Sequence, residues 1–197
     1  KDLSDTERMN TINALVDKAE LFLLMGPITP DAAEYLEHFL DKTGTAVTVN
    51  FDRIINQSNE ASEGRLNDMT RAMYVVERMG EKLPVGCNFT VCSVNDASHY
   101  ITSGNWHYAI GHYSTKVQFD VTKTAVNSYS AEVNYYFYDV YDWARDDDKK
   151  MAGIISPQEL WEIQYAGEGK GYYVFGVDYL SMEWSVGDGW YDAEIND

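Results

Sequence analysis

A chain of 197 residues can close a core of its own, burying roughly 70% of the unfolded surface, so the fold needs no metal or disulfide staple. Hydrophobic residues at 45% and charged residues at 24% exclude a disordered chain, and no apolar run approaches the ~20 residues needed to span a bilayer. A net charge of −17 argues against nucleic acid as a partner, because binding phosphate needs a basic surface. The acidity serves solubility, or it meets a basic partner protein, bound Ca²⁺, or both. The chain shows no signal-peptide pattern and does not begin with Met, which points to a longer precursor or fusion.

The first half reads as helical. Ser4 and Glu7 form a capping box, in which the serine oxygen takes a free amide at the helix start and the glutamate reaches back. Met9, Ile12, Val16, Ala19 and Leu23 follow at helical spacing, and Gly26-Pro27 ends the run. Thr29-Pro30-Asp31 opens a second helix, with proline in the first turn and Ala33, Leu36 and Leu40 on its apolar face; Gly44 closes it. Residues 45–51 alternate, with Val47, Val49 and Phe51 on one side, as in a strand. Polar residues 56–64 read as a loop. Leu66, Met69, Met73, Val76 and Met79 then mark a third helix whose methionine stripe is a core face.

The character changes at Pro84. Residues 88–94 read as a short strand, and Cys87 and Cys92 on opposite faces of it read as two buried free thiols, with a disulfide across a local turn as the alternative. From Trp106 the chain is aromatic and alternating. Trp106, Tyr108 and Ile110 share one phase; Tyr113, Thr115, Val117, Phe119 and Val121 share the other, and a bulge at Gly111 accounts for the slip. A turn near 122–128 leads into a partner strand with Tyr129, Ala131, Val133, Tyr135 and Phe137 on one face. This pair reads as a long hairpin at the centre of an antiparallel sheet. Residues 145–150 form a charged turn. Ser156-Pro157-Gln158-Glu159 is a second capping box opening a short helix that Gly167 ends, and 172–184 supply a final strand or two. After Lys170 there is no Lys or Arg, so the tail is a solvated end or a docking strip. The whole reads as one α+β domain over residues 1–197, with a helical part at about 1–83 packed on an antiparallel sheet at about 84–197.

Alternation places Asp139 on the same face as Tyr135 and Phe137. A carboxylate there is either desolvated, with the raised pKa of a general acid, or satisfied by tyrosine hydroxyls and backbone amides. His99, His107 and His112 fall in one stretch. With the bulge, His107 and His112 can share a face and meet Asp139 across the hairpin as an acid–base pair or metal site; filling polar gaps in an aromatic sheet is the alternative. Asp142, Asp146 and Asp148 are candidates to bind a divalent cation such as calcium, but the spacing is not that of an EF-hand loop, which favours a solvated turn. Trp106, Tyr141 and Asp142 are candidates for ligand contact. There is no G-x-S-x-G elbow, and residues 167–171 lack the phosphate-loop pattern.

Three segments together carry a resemblance: Asn105-Trp106-His107-Tyr108-Ala109-Ile110-Gly111, then Tyr136-Phe137-Tyr138-Asp139-Val140-Tyr141-Asp142-Trp143, then the helix from Ser156 leading into Gly171-Tyr172-Tyr173-Val174-Phe175-Gly176. In this order they resemble C-terminal toxin domains of bacterial polymorphic toxins. The resemblance covers residues 105–176 and implies a secreted antibacterial effector that acts in the periplasm or cell envelope of a target bacterium and is neutralised by a cognate immunity protein. It carries no catalytic residues with it. The rival expectations are a non-catalytic secreted binding module and an acidic immunity or inhibitor protein.

Overall fold

The computed structural model describes residues 4–24, 26, 28–93, 96–143, 145, 151–189 and 194–196. Along the chain come α1 (Asp5–Leu23), α2 (Pro30–Leu40), β1 (Val47–Thr48), α3 (Phe51–Gln57), α4 (Asn59–Gly80), β2 (Asn88–Cys92), β3 (Ala97–Tyr100), α5 (Gly104–Ala109), β4 (His112–Ala125), β5 (Ser128–Tyr141), α6 (Pro157–Tyr165), β6 (Tyr172–Ser185) and β7 (Glu194–Asn196). Helices dominate the first part and strands the second, so the fold is α+β as expected. The strands join one sheet in the order β1-β6-β5-β4-β2, with β3 also on β4 and β7 on β6. No described helix is long and apolar enough to cross a membrane.

The chain divides into two compact units. The first is Lys1–Thr48, Ile101–Gly111 and Asp139–Val174. Its helix α1 starts on the expected capping box, with the Ser4 amide donating to Glu7 at 2.8 Å and the Glu7 amide to Ser4 Oγ at 3.3 Å. Its buried stripe is Leu15, Ala19 and Phe22, while Met9 lies exposed. The second capping box also forms: the Ser156 amide donates to Glu159 at 2.9 Å and the Glu159 amide to Ser156 Oγ at 3.2 Å, and α6 buries Leu160 and Ile163. Lys18 ties α1 to α6 by an ion pair with Glu159 at 2.5 Å.

The second unit is Val49–Tyr100, His112–Tyr138 and Phe175–Asp197. Its centre is the β4–β5 hairpin, antiparallel with Val117 opposite Tyr135, Phe119 opposite Val133 and Val121 opposite Ala131. Alternation sends Tyr113, Thr115, Val117, Phe119 and Val121 inward from β4, and Tyr129 to Phe137 at every second position from β5. Phe51 seats on this face, 5.0 Å from the rings of Tyr135 and Phe137.

Four expectations are corrected. Residues 45–51 are not one strand: Asn50 Oδ1 accepts the Arg53 amide at 3.0 Å, and this N-cap turns Phe51 into the first residue of α3. Residues 56–64 are not a loop, because Ser58 caps α4 eight residues before Leu66 by accepting the Ala61 amide at 3.2 Å. Trp106, Tyr108 and Ile110 lie on or beside a helix, α5, rather than a strand, so no bulge is needed; Gly111 at φ 67° takes the left-handed turn that ends it. Cys87 and Cys92 are free as expected but not buried, Cys87 being partly exposed and Cys92 exposed. Of the charged turn expected at 145–150, residues 146–150 lie outside the described residues.

Candidate active site

Helix α5 is held by its polar start. Asn105 accepts the Ala32 amide at 3.1 Å and donates to Asp31 at 2.5 Å, which locks α5 to the first turn of α2. Tyr108 packs edge-on against Phe22 of α1, and Trp106 and Ala109 are buried. The Ile101 amide donates to the Gly111 carbonyl at 2.7 Å, so the two ends of this segment close on each other. His107 projects from the helix with Nδ1 2.8 Å from the Ile101 carbonyl oxygen. A carbonyl only accepts, so Nδ1 carries a proton, and in the neutral form of the ring the lone pair is on Nε2.

The end of β5 supplies the acid. Tyr141 is buried in a stack of aromatic rings with Tyr35 at 5.9 Å and Tyr172 at 5.1 Å, and its edge meets Trp143 at 5.0 Å. The Tyr172 hydroxyl donates to the Tyr35 carbonyl at 2.7 Å. The Tyr141 hydroxyl and Trp143 Nε1 are buried with no hydrogen-bond partner among the described residues. A buried unpaired donor costs about 1–3 kcal/mol, and both sit at the wall of one cavity.

That cavity, about 540 Å³, is lined by His107, Asp139, Tyr141, Asp142, Trp143 and Met151 together with residues 102–104 and 108–111. Its volume lies within the usual range for small-molecule sites, roughly 300–1,000 Å³. Asp139 occupies the inward position between Phe137 and Tyr141. Burial pushes its carboxyl up, the Val140 amide pulls it partly back and the negative charge of Asp142 adds to the rise, bringing it to about 7. A carboxyl poised near neutrality can both give and take a proton. Burial raises the Tyr141 hydroxyl as well, so it stays a neutral donor.

Of the residues singled out in the sequence, Asp139, His107, Tyr141 and Asp142 line this cavity. His112 and Trp106 are not among its lining residues. His112 opens β4 with Nε2 2.7 Å from Ser98 Oγ and its ring against Tyr100, and Trp106 belongs to the core beneath α5. Asp142 is exposed, and Asp146 and Asp148 lie outside the described residues; among the described residues no group of three or more His, Cys, Asp or Glu could hold a metal ion. Sequence reasoning does not find Trp143 and Met151 as site residues, because nothing local says that they line one cavity with the end of β5.

No family model matches the chain, and no curated protein matches it. Among solved structures it is similar to PaeM, a colicin M-like bacteriocin produced by Pseudomonas aeruginosa, with a TM-score of 0.49 and 13% identity over 80% of this chain and 52% of that one. It is also similar to the bacteriocin syringacin M from Pseudomonas syringae pv. tomato DC3000. The truncated form gives a TM-score of 0.46 at 13% identity over 79% of this chain and 60% of that one. The other syringacin M structure gives 0.44 at 14% identity over 79% and 51%. The chain thus spans between 51% and 60% of the length of these bacteriocins. Scores of this size do not establish a shared fold.

Proposed function

We propose that the chain is an antibacterial effector domain that works in the cell envelope as a hydrolase, with Asp139 and His107 as its acid–base pair. One observation carries this reading. The segments that resemble bacterial toxin domains, 105–111 and 136–143 with the start of the 156–176 stretch, contribute His107, Asp139 and Pro157 to a single cavity. A carboxyl poised near pH 7 lies in that same cavity.

The chemistry follows from the protonation states. His107 Nε2 takes a proton from an attacking water while the protonated Asp139 gives one to the leaving oxygen, and the two return to their starting forms by exchanging protons with solvent. Asp142, exposed at the cavity mouth, and the phenol of Tyr141 orient the substrate. A producer cell carrying such an activity needs a cognate immunity protein, and the cavity is the surface for that protein to cover.

The test is survival of a bacterium expressing the chain in the cytoplasm and, separately, exported to the periplasm. Killing on export alone, lost in Asp139→Asn and strongly reduced in His107→Ala with both variants folded, is the expected result. Full killing by Asp139→Asn, or no killing in either compartment by folded protein, overturns the proposal.

A second reading, a non-catalytic binding module, is favoured by a separate feature. Phe175, Tyr179 and Tyr136 are exposed on the outward face of β5 and β6 at 46%, 67% and 38%. Glycan binding that survives Asp139→Asn and is lost in Tyr179→Ala would support this reading over the enzyme.

A further inference from the structure

The second unit has a cavity of its own, about 310 Å³, between α4 and strands β2, β3 and β4. Ala72, Val75, Val91 and Val117 make its apolar wall, and Asp68 and Arg71 of α4 stand on it one helical turn apart. Asp68 is 8% exposed. Its Oδ2 accepts from the Thr115 hydroxyl at 2.6 Å, the His99 Nε2 at 2.8 Å and the Tyr135 hydroxyl at 2.9 Å. Helix α4 approaches β3 closely enough for this because position 64 is glycine: a Cβ there would stand 2.7 Å from the His99 ring. Burial pushes the Asp68 carboxyl up, but these three donors outweigh it and hold it below its ordinary value, so it is a carboxylate at neutral pH. All three donors converge on Oδ2. Oδ1 has no hydrogen-bond donor among the described residues, and Asp68 is a lining residue of the cavity.

Arg71 is the complement. It lines the same cavity, is exposed, and has no carboxylate partner among the described residues of a chain with 32 acidic and 15 basic side chains. The other lining cation, Lys116, is engaged by Asp96 at 3.1 Å. Asp68 and Arg71 are adjacent on α4 without closing an ion pair on each other. Residues three apart on a helix have Cβ atoms about 5–6 Å apart, which suits two opposite charges carried on neighbouring atoms of one ligand.

We propose that this cavity binds a small amphipathic zwitterion of the α-amino-acid type. Its ammonium donates to Asp68 Oδ1, its carboxylate pairs with the Arg71 guanidinium, and its apolar side chain lies against Val75, Val91 and Val117. The volume is at the small end for ligand sites, which selects a molecule of that size. This site is independent of the Asp139 cavity.

The test is amide NMR of the full, isotope-labelled chain titrated to millimolar concentrations with L-leucine, with 4-methylpentanoate, which lacks the ammonium, and with 3-methylbutan-1-amine, which lacks the carboxylate. Leucine should give saturable shifts confined to α4 and β2–β4, with either analogue weaker by about tenfold or more. Arg71→Ala should weaken leucine by a similar factor, and Val75→Trp should abolish binding by filling the cavity. Both substitutions are at exposed positions, and the unchanged remainder of the spectrum reports that each variant is folded. No saturable shift with leucine, equal binding of an analogue, or undiminished binding by Val75→Trp overturns the proposal.

Discussion

Replacing Asp139 with asparagine should stabilise the protein above neutral pH while abolishing the activity proposed for it. The carboxyl rises from an ordinary 3.8 to about 7 on folding, chiefly through burial. Between those values the folded state binds the proton and the unfolded state has lost it. Stability from this group is therefore fully present below about pH 4, falls as pH rises and stays low above about 7. At about 1.4 kcal/mol per pH unit, the ceiling is on the order of 4 kcal/mol. Water reaching a carboxyl that is only partly buried reduces it to a few kcal/mol. The Asp139→Asn amide resembles the protonated acid and does not titrate. Urea unfolding of both proteins from pH 4 to 8 is the assay, read as variant minus wild type. The subtraction cancels the opposite slopes of Asp68, Asp96 and Asp120, all held below their ordinary values. The difference should be small at pH 4 and grow in favour of the variant toward pH 8. A difference that stays flat with pH, or a variant no more stable at pH 8, would refute the reasoning.

Two further outcomes test the framework around the sites. Lys123→Met removes a buried ammonium that donates to the Gly80 and Leu83 carbonyls at 2.8 and 2.9 Å and so caps the end of α4; a loss of about 2–3 kcal/mol in urea unfolding is expected, and an unchanged midpoint would mean the cap contributes nothing. Ser156→Ala opens the capping box of α6 and should lower stability by about 1 kcal/mol, seen as a fall in the thermal midpoint, with Ser156→Asp restoring most of it.

Both capping boxes, the two central strands and the inward face of the hairpin were legible in the sequence, because each is set by neighbours in the chain. A serine three residues before a glutamate satisfies its own helix end, and a period of two assigns every side chain of β4 and β5 to a face. That periodicity also placed Asp139 on the inner side. It failed at 104–110, where alternating Trp106, Tyr108 and Ile110 mimic a strand; the bonds from Asn105 to Asp31 and Ala32, more than seventy residues away, help hold that segment as a helix. The same limit hid Lys123, which reads as part of a polar turn until the end of α4 is brought to it. It also hid Asp68, although Ala61, Gly64, Asp68 and Ala72 do lie at helical spacing along a buried stripe. The sequence by itself determined which segments are helix and strand wherever the deciding interactions lie within a few residues. The tertiary structure alone decided which carboxylates are charged and which cavities they line, because burial and hydrogen-bond partners come from segments that meet only when the chain has folded.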